Sequence, residues 1–235
     1  MLFRSGGFDV AIAGGGIIGA GIARDAAMRG FRVALVERAD YGGGTTAGST
    51  RLIHGGLRYL EMLDFRLVRM DLRERETLLR IAPHLVKPLF FLLPFRDRGW
   101  LYRQRLRAGM ILYDALSFDK SLPPYRFFSA AETLRAEPEL DPRGIGGAAG
   151  YWDAQVNSPE RLALENILDA RARGAVALNY AEVTGALHHG GAVVGLRVRD
   201  TLEGGEAEVR ARVVVNATGP WFDRVAARLA PPQPP

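Results

Sequence analysis

Asp9-Val10-Ala11-Ile12-Ala13-Gly14-Gly15-Gly16-Ile17-Ile18-Gly19, followed after a small-residue stretch by Arg32-Val33-Ala34-Leu35-Val36-Glu37, decides the fold of this chain. A short apolar run meets a glycine cluster, small residues continue as a helix, and a second apolar run ends on an acid. Strand, glycine turn, helix, strand and carboxylate stand in the order a dinucleotide site requires. Gly14 permits the tight turn, Gly16 lets a pyrophosphate approach the backbone, and Gly19 allows the helix to lie close on the sheet. The phosphates then face unpaired N–H groups and roughly half a positive charge at the helix N-terminus. Glu37 lies 21 residues beyond Gly16, where its carboxylate can accept both ribose hydroxyls. A glycine cluster alone is only a turn; the strand, helix and acid in register make it a nucleotide site.

Further along, the hydrophobic period changes from helical to alternating. Tyr180–Leu187, Ala192–Asp200 and Ala207–Asn216 read as three strands, joined by the turns His188-His189-Gly190-Gly191 and Glu203-Gly204-Gly205. Val194, Leu196 and Val198 alternate with Gly195, Arg197 and Arg199, as a half-buried strand should. The third strand ends in Asn216-Ala217-Thr218-Gly219-Pro220-Trp221 and leads into a helix. A parallel strand finishing in small residues places its backbone beside whatever occupies the crevice at the strand ends. Together with the N-terminal glycine turn and the meander, it argues for a flavin dinucleotide over a nicotinamide.

Between these parts, Asp64 is placed to cap a helix carrying Val68, Leu72, Leu79 and Ala82 on one face and Arg66, Arg69, Arg73, Glu74 and Glu76 on a solvated one. Leu89–Leu93, between Pro88 and Pro94, reads as a buried strand. Ser129 with Glu132 forms a capping box, and Ser158-Pro159 starts another helix.

The 235 residues suffice for one large domain or two small ones, and 48% hydrophobic with 24% charged content is that of a globular protein. A net charge of +5, from 31 basic and 26 acidic residues, suits an anionic substrate or a membrane surface and does not by itself indicate nucleic acid. The absence of cysteine excludes disulfides, zinc-thiolate sites and cysteinyl flavin. His188 and His189, in a hairpin loop without partners, are not read as metal ligands. No apolar run is long enough to cross a bilayer, the first strand begins too early for a signal peptide, and cytoplasmic residence is the expectation.

The segment Ser49-Thr50-Arg51-Leu52-Ile53-His54-Gly55-Gly56-Leu57-Arg58-Tyr59-Leu60-Glu61 resembles the FAD-dependent glycerol-3-phosphate dehydrogenase family, the respiratory quinone-linked type. The likeness extends over nearly the whole chain, including Gly14–Ala27, Arg80–Val86 and Val215–Trp221. The His54-Gly55-Gly56-Leu57-Arg58-Tyr59-Leu60 block discriminates, since amine and amino-acid oxidases share the glycine turn and not that block. The resemblance implies an α/β fold: a Rossmann-like FAD-binding domain with a three-stranded antiparallel meander over residues 1–230, part of a substrate-binding region interleaved at about 85–155, and a proline-rich tail at 231–235.

The implied reaction removes a proton from the C2 hydroxyl of sn-glycerol 3-phosphate and passes a hydride to FAD, giving dihydroxyacetone phosphate; a quinone then takes the electrons. The resemblance places Gly14, Gly16, Gly19, Glu37, Arg38, Thr45, Ser49, Thr50, Arg51, Leu52, Val183, Ala217, Thr218 and Gly219 on the cofactor. The family usually has lysine at Arg51, so charge is kept while the donor changes from a point to a planar fork. Arg58 and Tyr59 are the substrate candidates, because a guanidinium binds a phosphate dianion bidentately and a phenol can orient glycerol oxygens. Arg58 reads equally as a structural ion pair with Glu61. His54 is either the general base or a backbone-bonded histidine holding its loop.

Trp100, Leu101, Tyr102, Leu106, Met110, Ile111 and Leu112 alternate with Arg98, Arg103, Arg105 and Arg107 over residues 98–113, with no acid among them. Such a helix either lies in a membrane surface or packs on its own domain with a wet basic face. Four arginines near an anionic leaflet contribute about 4 kcal/mol at most. Peripheral association with the cytoplasmic membrane and a homodimer complete the implied picture. Family members continue beyond the point reached here, with further substrate-binding cations, elements that close the flavin site and a helical domain. The expectation is therefore an N-terminal portion, with an inactive flavin-binding fragment or an oxygen-using flavin oxidase as alternatives.

Overall fold

The computed structural model describes residues 7–96 and 99–230. The chain forms two compact units, Met1–Thr50 with Ser158–Pro235, and Arg51–Asn157. The first begins with β1 (Phe8–Ala13), α1 (Ile17–Met28) and β2 (Val33–Val36). The second holds β3 (Leu52–Ile53), α2 (Phe65–Ile81), β4 (Val86–Arg96), α3 (Trp100–Leu116), β5 (Arg126–Phe128), α4 (Ala130–Ala136) and β6 (Ile145–Val156). The first unit resumes with α5 (Pro159–Ala172), β7 (Val176–Leu178), β8 (Ala181–His189), β9 (Ala192–Asp200), β10 (Glu206–Asn216) and α6 (Phe222–Leu229).

The first unit is built on one sheet of order β7-β2-β1-β10-β9-β8. Strands β7, β2, β1 and β10 are parallel, while β10, β9 and β8 form the antiparallel meander that the alternating segments predict. Successive side chains on a strand face opposite ways. Accordingly Ile12, Val33 and Leu35 meet Ala23 and Ala27 of α1 on one face. On the other, Ala11, Ala13, Ala34 and Val36 are covered by Ala181 and Val183 of β8, Leu196 and Val198 of β9, and Val225 of α6. Burial on both faces explains why β2 reads Val-Ala-Leu-Val without alternation. Helix α5 packs against α1 through Ala163 and Ile167 on Ala20, the two alanines allowing close approach and Ile167 filling the space beside them.

The second unit centres on β6, which pairs with β3, β4 and β5. The Asp64 carboxylate accepts the Leu67 N–H at 3.0 Å at the start of α2, and Ser129 with Glu132 forms the expected capping box on α4. Leu60, Val68, Leu72 and Tyr113 form its core, each fully buried aliphatic side chain contributing roughly 1.5–3 kcal/mol. In the first unit, the Ser158 hydroxyl accepts the Arg161 N–H at 3.2 Å, with Pro159 at the first helical position of α5.

Several local expectations need correction. The strand expected at Leu89–Leu93 runs through both prolines as the eleven-residue β4, and Phe90 and Leu93 are exposed rather than buried. Among the described residues it pairs only with β6, and an edge strand tolerates residues without an N–H. His188 and His189 lie in β8, opposite Val193 and Ala192, so the turn is Gly190-Gly191 alone. The His188 Nε2–H donates to the Leu229 carbonyl at 3.1 Å, tying the meander to the end of α6. The polar side of α2 is not uniformly solvated: Arg69 pairs with Asp119, the Glu76 carboxylate accepts the Ser121 N–H, and Arg75 is fully buried. Arg98 and residues 231–235 lie outside the described residues.

Candidate functional site

The chain leaves β1 toward β2 on one side and returns beside β1 on the other as β10, so the strand order reverses at β1. Ligands of open α/β sheets bind outside the carboxyl ends of strands at such a reversal. A cleft of about 380 Å³ opens there, lined by the glycine turn, by the end of β2, by the Gly42–Thr46 loop, by Ala181–Val183 and by Ala217–Trp221.

The glycines are required by what surrounds them. Gly14 has φ +110°, and a Cβ there would meet the Ala217 carbonyl oxygen at 2.6 Å. A Cβ on Gly19 would overlap the Gly14 carbonyl oxygen. Gly16 sits on the open side, with only the Thr46 hydroxyl near its Cβ position, so backbone there is accessible from the cleft. Gly15 is also constrained, since a Cβ would press on Tyr41 and Glu37. Burial pushes the Tyr41 phenol up to about 12, so it stays neutral beside the turn.

The Glu37 carboxylate accepts the Gly15 N–H at 2.7 Å through one oxygen and the Ala39 N–H at 3.0 Å through the other. Each carboxylate oxygen can accept a further bond, so Glu37 keeps acceptor capacity toward the cleft. At the start of α1, the Ile17 N–H donates to the Thr46 hydroxyl at 3.0 Å. Gly14 donates its N–H to the Val36 carbonyl, and Ala217 donates to that of Ala13, so β2, β1 and the strand end after β10 are laced together at the mouth. The Trp221 ring lies over Gly44, with the Arg38 guanidinium 5.0 Å from its centroid.

Of the cofactor candidates, Gly14, Gly16, Glu37, Arg38, Thr45, Val183, Ala217, Thr218 and Gly219 line this one cleft, with Gly19 directly behind the turn. Ser49 and Thr50 are exposed and do not line it. Arg51, Leu52, His54, Arg58 and Tyr59 belong to the second unit. Arg51 adopts a left-handed backbone, φ 61°, and its guanidinium donates to the Asn157 carbonyl at 3.2 Å. Leu52 is half-buried on β3 opposite Gln155.

The His54-Gly55-Gly56-Leu57-Arg58-Tyr59 block forms a tight turn and one turn of 3₁₀ helix over Leu57–Leu60. His54 Nδ1 accepts the Gly56 N–H at 3.1 Å, which leaves Nε2 as the ring nitrogen open to a further partner. Arg58 is exposed and has no ion pair among the described residues, because Glu61 pairs with Arg105 at 3.8 Å. Tyr59 packs its ring over Gly56.

Sequence reasoning passed over Thr46, Gly15, Arg224 and Asp71. Arg224 lines the cleft without an ion pair among the described residues. Asp71 on α2 lies beside Gly56, and burial raises its carboxyl above the ordinary range against the opposing pull of His54. Thr46 had a usable signal, a second hydroxyl within the glycine-rich loop; Asp71 had none.

The cleft meets the physical requirements of a flavin dinucleotide: a cradle whose glycines a Cβ would fill, a helix N-terminus, and a fixed acid at the end of the second strand. Comparison with known proteins agrees. The chain is 46% identical over 222 residues to a glycerol-3-phosphate dehydrogenase of Synechocystis sp., covering 93% of this chain and 40% of that relative. It is 47% identical over 221 residues to glycerol-3-phosphate dehydrogenase 2 of Mycobacterium tuberculosis, covering 94% and 37% respectively. The crystal structure of glycerol-3-phosphate dehydrogenase from Bacillus halodurans complexed with FAD aligns with a TM-score of 0.74 at 32% identity, over 95% of this chain and 36% of that one. The chain thus spans well under half the length of these relatives. A family model described as FAD dependent oxidoreductase matches residues 9–235, and the chain belongs to that family.

Proposed function

We propose that this chain is the N-terminal, flavin-binding part of an enzyme that oxidises sn-glycerol 3-phosphate to dihydroxyacetone phosphate and passes the electrons to a quinone. The observation that supports it most is the pairing of a flavin-type cleft with the Arg58-Tyr59 turn in a chain 46% identical to a protein of that name. Gly14, Gly16 and Thr45 would hold the pyrophosphate, and Glu37 and Arg38 the adenosine half. Val183 and Ala217–Gly219 would bound the cofactor on the other side of the cleft. Bound there, FAD would supply the acceptor for the hydride, which carries both electrons away from C2 of the substrate.

Arg58 suits the phosphate: it is exposed, unpaired among the described residues, and its planar fork matches a dianion. Tyr59, packed on Gly56, can offer its hydroxyl to a glycerol oxygen with little loss of side-chain freedom. His54, with Nδ1 engaged by the Gly56 N–H, orients the turn and can donate from Nε2.

For the quinone step, α3 supports contact with a membrane surface. Met110 and Tyr113 are buried in the unit, whereas Trp100, Leu101 and Ile111 are 72%, 74% and 50% exposed. At helical spacing these three form one outward stripe, flanked by the exposed Arg103 and Arg107 on one side and Arg105 on the other. An apolar stripe edged by cations suits the interface of an anionic leaflet. No helix among the described residues is long and apolar enough to cross a membrane.

The product of the complete reading frame, loaded with FAD, is mixed anaerobically with sn-glycerol 3-phosphate. Bleaching of the flavin absorbance, reversed by a soluble quinone, supports the reading; an unchanged spectrum at saturating substrate refutes it. Reoxidation by oxygen with peroxide, and none by quinone, would make the protein an oxidase.

A further inference from the structure

The buried polar network Arg75–Asp153–Tyr113 performs no step in the mechanism above, yet it terminates on the turn that carries Arg58 and Tyr59. Arg75 is fully buried on α2, and its Nη1 donates to Asp153 Oδ1 at 2.6 Å. Asp153 on β6 is 1% exposed. The Tyr113 hydroxyl on α3 donates to the same carboxylate at 3.0 Å. Burial, with Asp153 alongside, drives the Tyr113 phenol far above its ordinary range, so it is a proton donor throughout. The buried Gly55 N–H then donates to the Tyr113 oxygen at 3.1 Å and to Asp153 Oδ1 at 3.2 Å. Gly55 has no room for a Cβ, since Leu72 and Tyr113 fill that space.

A buried ion pair adds little net stability over an apolar replacement, because desolvation offsets the Coulomb gain. What it can add is a single arrangement, since parting Arg75 from Asp153, or Gly55 from its acceptors, leaves a buried charge or backbone N–H unpaired in addition to the Arg75 Nε that already has no partner. Here α3 and β6 meet one backbone N–H through Tyr113 and Asp153, and α2 braces the Asp153 carboxylate through Arg75. Five residues later Leu60 is anchored in the same core as Val68, Leu72 and Tyr113. Between these two anchors only Leu57, Arg58 and Tyr59 stand on the 3₁₀ turn, with Gly56 held at φ +67° and bonded to His54.

We infer that Arg75, Asp153 and Tyr113 are positioning residues that fix the Gly55–Leu60 turn and thereby present Arg58 and Tyr59 to the phosphorylated polyol. This rests on the functional reading above, which makes Arg58 and Tyr59 the substrate side. Preorganised contacts lose their advantage when displaced by about 1 Å, at a cost that can approach a hundredfold.

The test uses Tyr113→Phe, which removes only one oxygen, and Asp153→Asn, with Val86→Ala on β4 as a variant that loosens the same unit outside both the network and the cluster that holds Leu60. Each is made in the FAD-loaded product of the complete reading frame. Amide exchange at Gly55 and Gly56, FAD affinity and glycerol 3-phosphate affinity are measured. Tyr113→Phe and Asp153→Asn are expected to speed exchange at the two glycines about tenfold and to weaken glycerol 3-phosphate binding about tenfold, with FAD affinity unchanged. Val86→Ala is expected to lower the melting temperature and leave glycerol 3-phosphate affinity within about twofold.

Unchanged exchange in Tyr113→Phe overturns the inference, as does faster exchange with unaltered substrate affinity. Equal loss of affinity in Val86→Ala also overturns it, because loosening of the fold then suffices. If Asp153→Asn does not fold, Tyr113→Phe decides alone. A parent protein that takes up FAD and no glycerol 3-phosphate overturns the functional reading instead, and this inference with it.

Discussion

The Glu37 carboxylate and the Gly15 N–H are joined by a 2.7 Å hydrogen bond across 22 residues of sequence. The acid that ends β2 therefore supports the glycine turn as well as facing the cleft. A charge-assisted bond of this kind is worth about 1.5–3 kcal/mol when a partly buried donor depends on it. Glu37→Ala is expected to weaken FAD binding about thirtyfold or more and to lower the unfolding midpoint even without cofactor. Glu37→Gln, which keeps an acceptor, falls between. Quenching of flavin fluorescence gives the affinities, and urea titration of the cofactor-free protein gives the stability difference.

Two glycines of α1 separate steric need from helix propensity. A methyl group at Gly19 has no space against the Gly14 carbonyl, whereas nothing lies within 4 Å of a Cβ at Gly21. Gly19→Ala should destabilise the fold by about 1–3 kcal/mol or more and impair FAD uptake. Gly21→Ala should stabilise it by about 0.5–1 kcal/mol with FAD affinity unchanged. Denaturant midpoints for the pair measure both.

Thr46 is the side-chain partner of the first N–H of α1. Thr46→Val keeps the shape and removes the acceptor, so a loss of about 1 kcal/mol is expected, and Thr46→Ser should recover most of it. Chemical denaturation of the three proteins checks this.

These sites show what was legible beforehand and what was not. The glycine turn, α1, the meander and the Ala217–Gly219 strand end could be read because each depends on local backbone needs, such as the positive φ at Gly14 and Gly219. Tertiary partners could not be read. Arg75 sits among surface-type residues of α2, and its burial is made tolerable chiefly by Asp153, 78 residues later, with Glu76 and the Trp152 carbonyl as further partners. The prolines at 88 and 94 suggested strand ends, but their missing N–H groups carry no penalty on the open side of β4. Glu61 faced Arg58 in sequence, yet the 3₁₀ turn leaves it to Arg105 on α3.

Acid should release the strap between α6 and the meander. A hydrogen bond from Arg228, joined by one from Arg199, holds the Glu182 carboxyl below its ordinary value of 4.5. A carboxyl with a depressed folded-state value stabilises the fold at pH above 4.5, and the contribution fades as pH falls through the lower folded-state value. The stability difference between the parent and Glu182→Gln should accordingly be constant near neutrality and vanish in acid. Melting temperatures of both proteins across that range, at fixed ionic strength, are the measurement.

Calorimetric titration of FAD into the product of the complete reading frame addresses the dinucleotide cleft at the β1 switch point without intermediaries. Saturable uptake at one FAD per chain, lost in Gly19→Ala and weakened in Glu37→Ala, is the expected result. No heat of binding and no co-purifying flavin at saturating FAD would contradict it, and the assignments of Arg58, Tyr59 and the network beneath them would lose their basis.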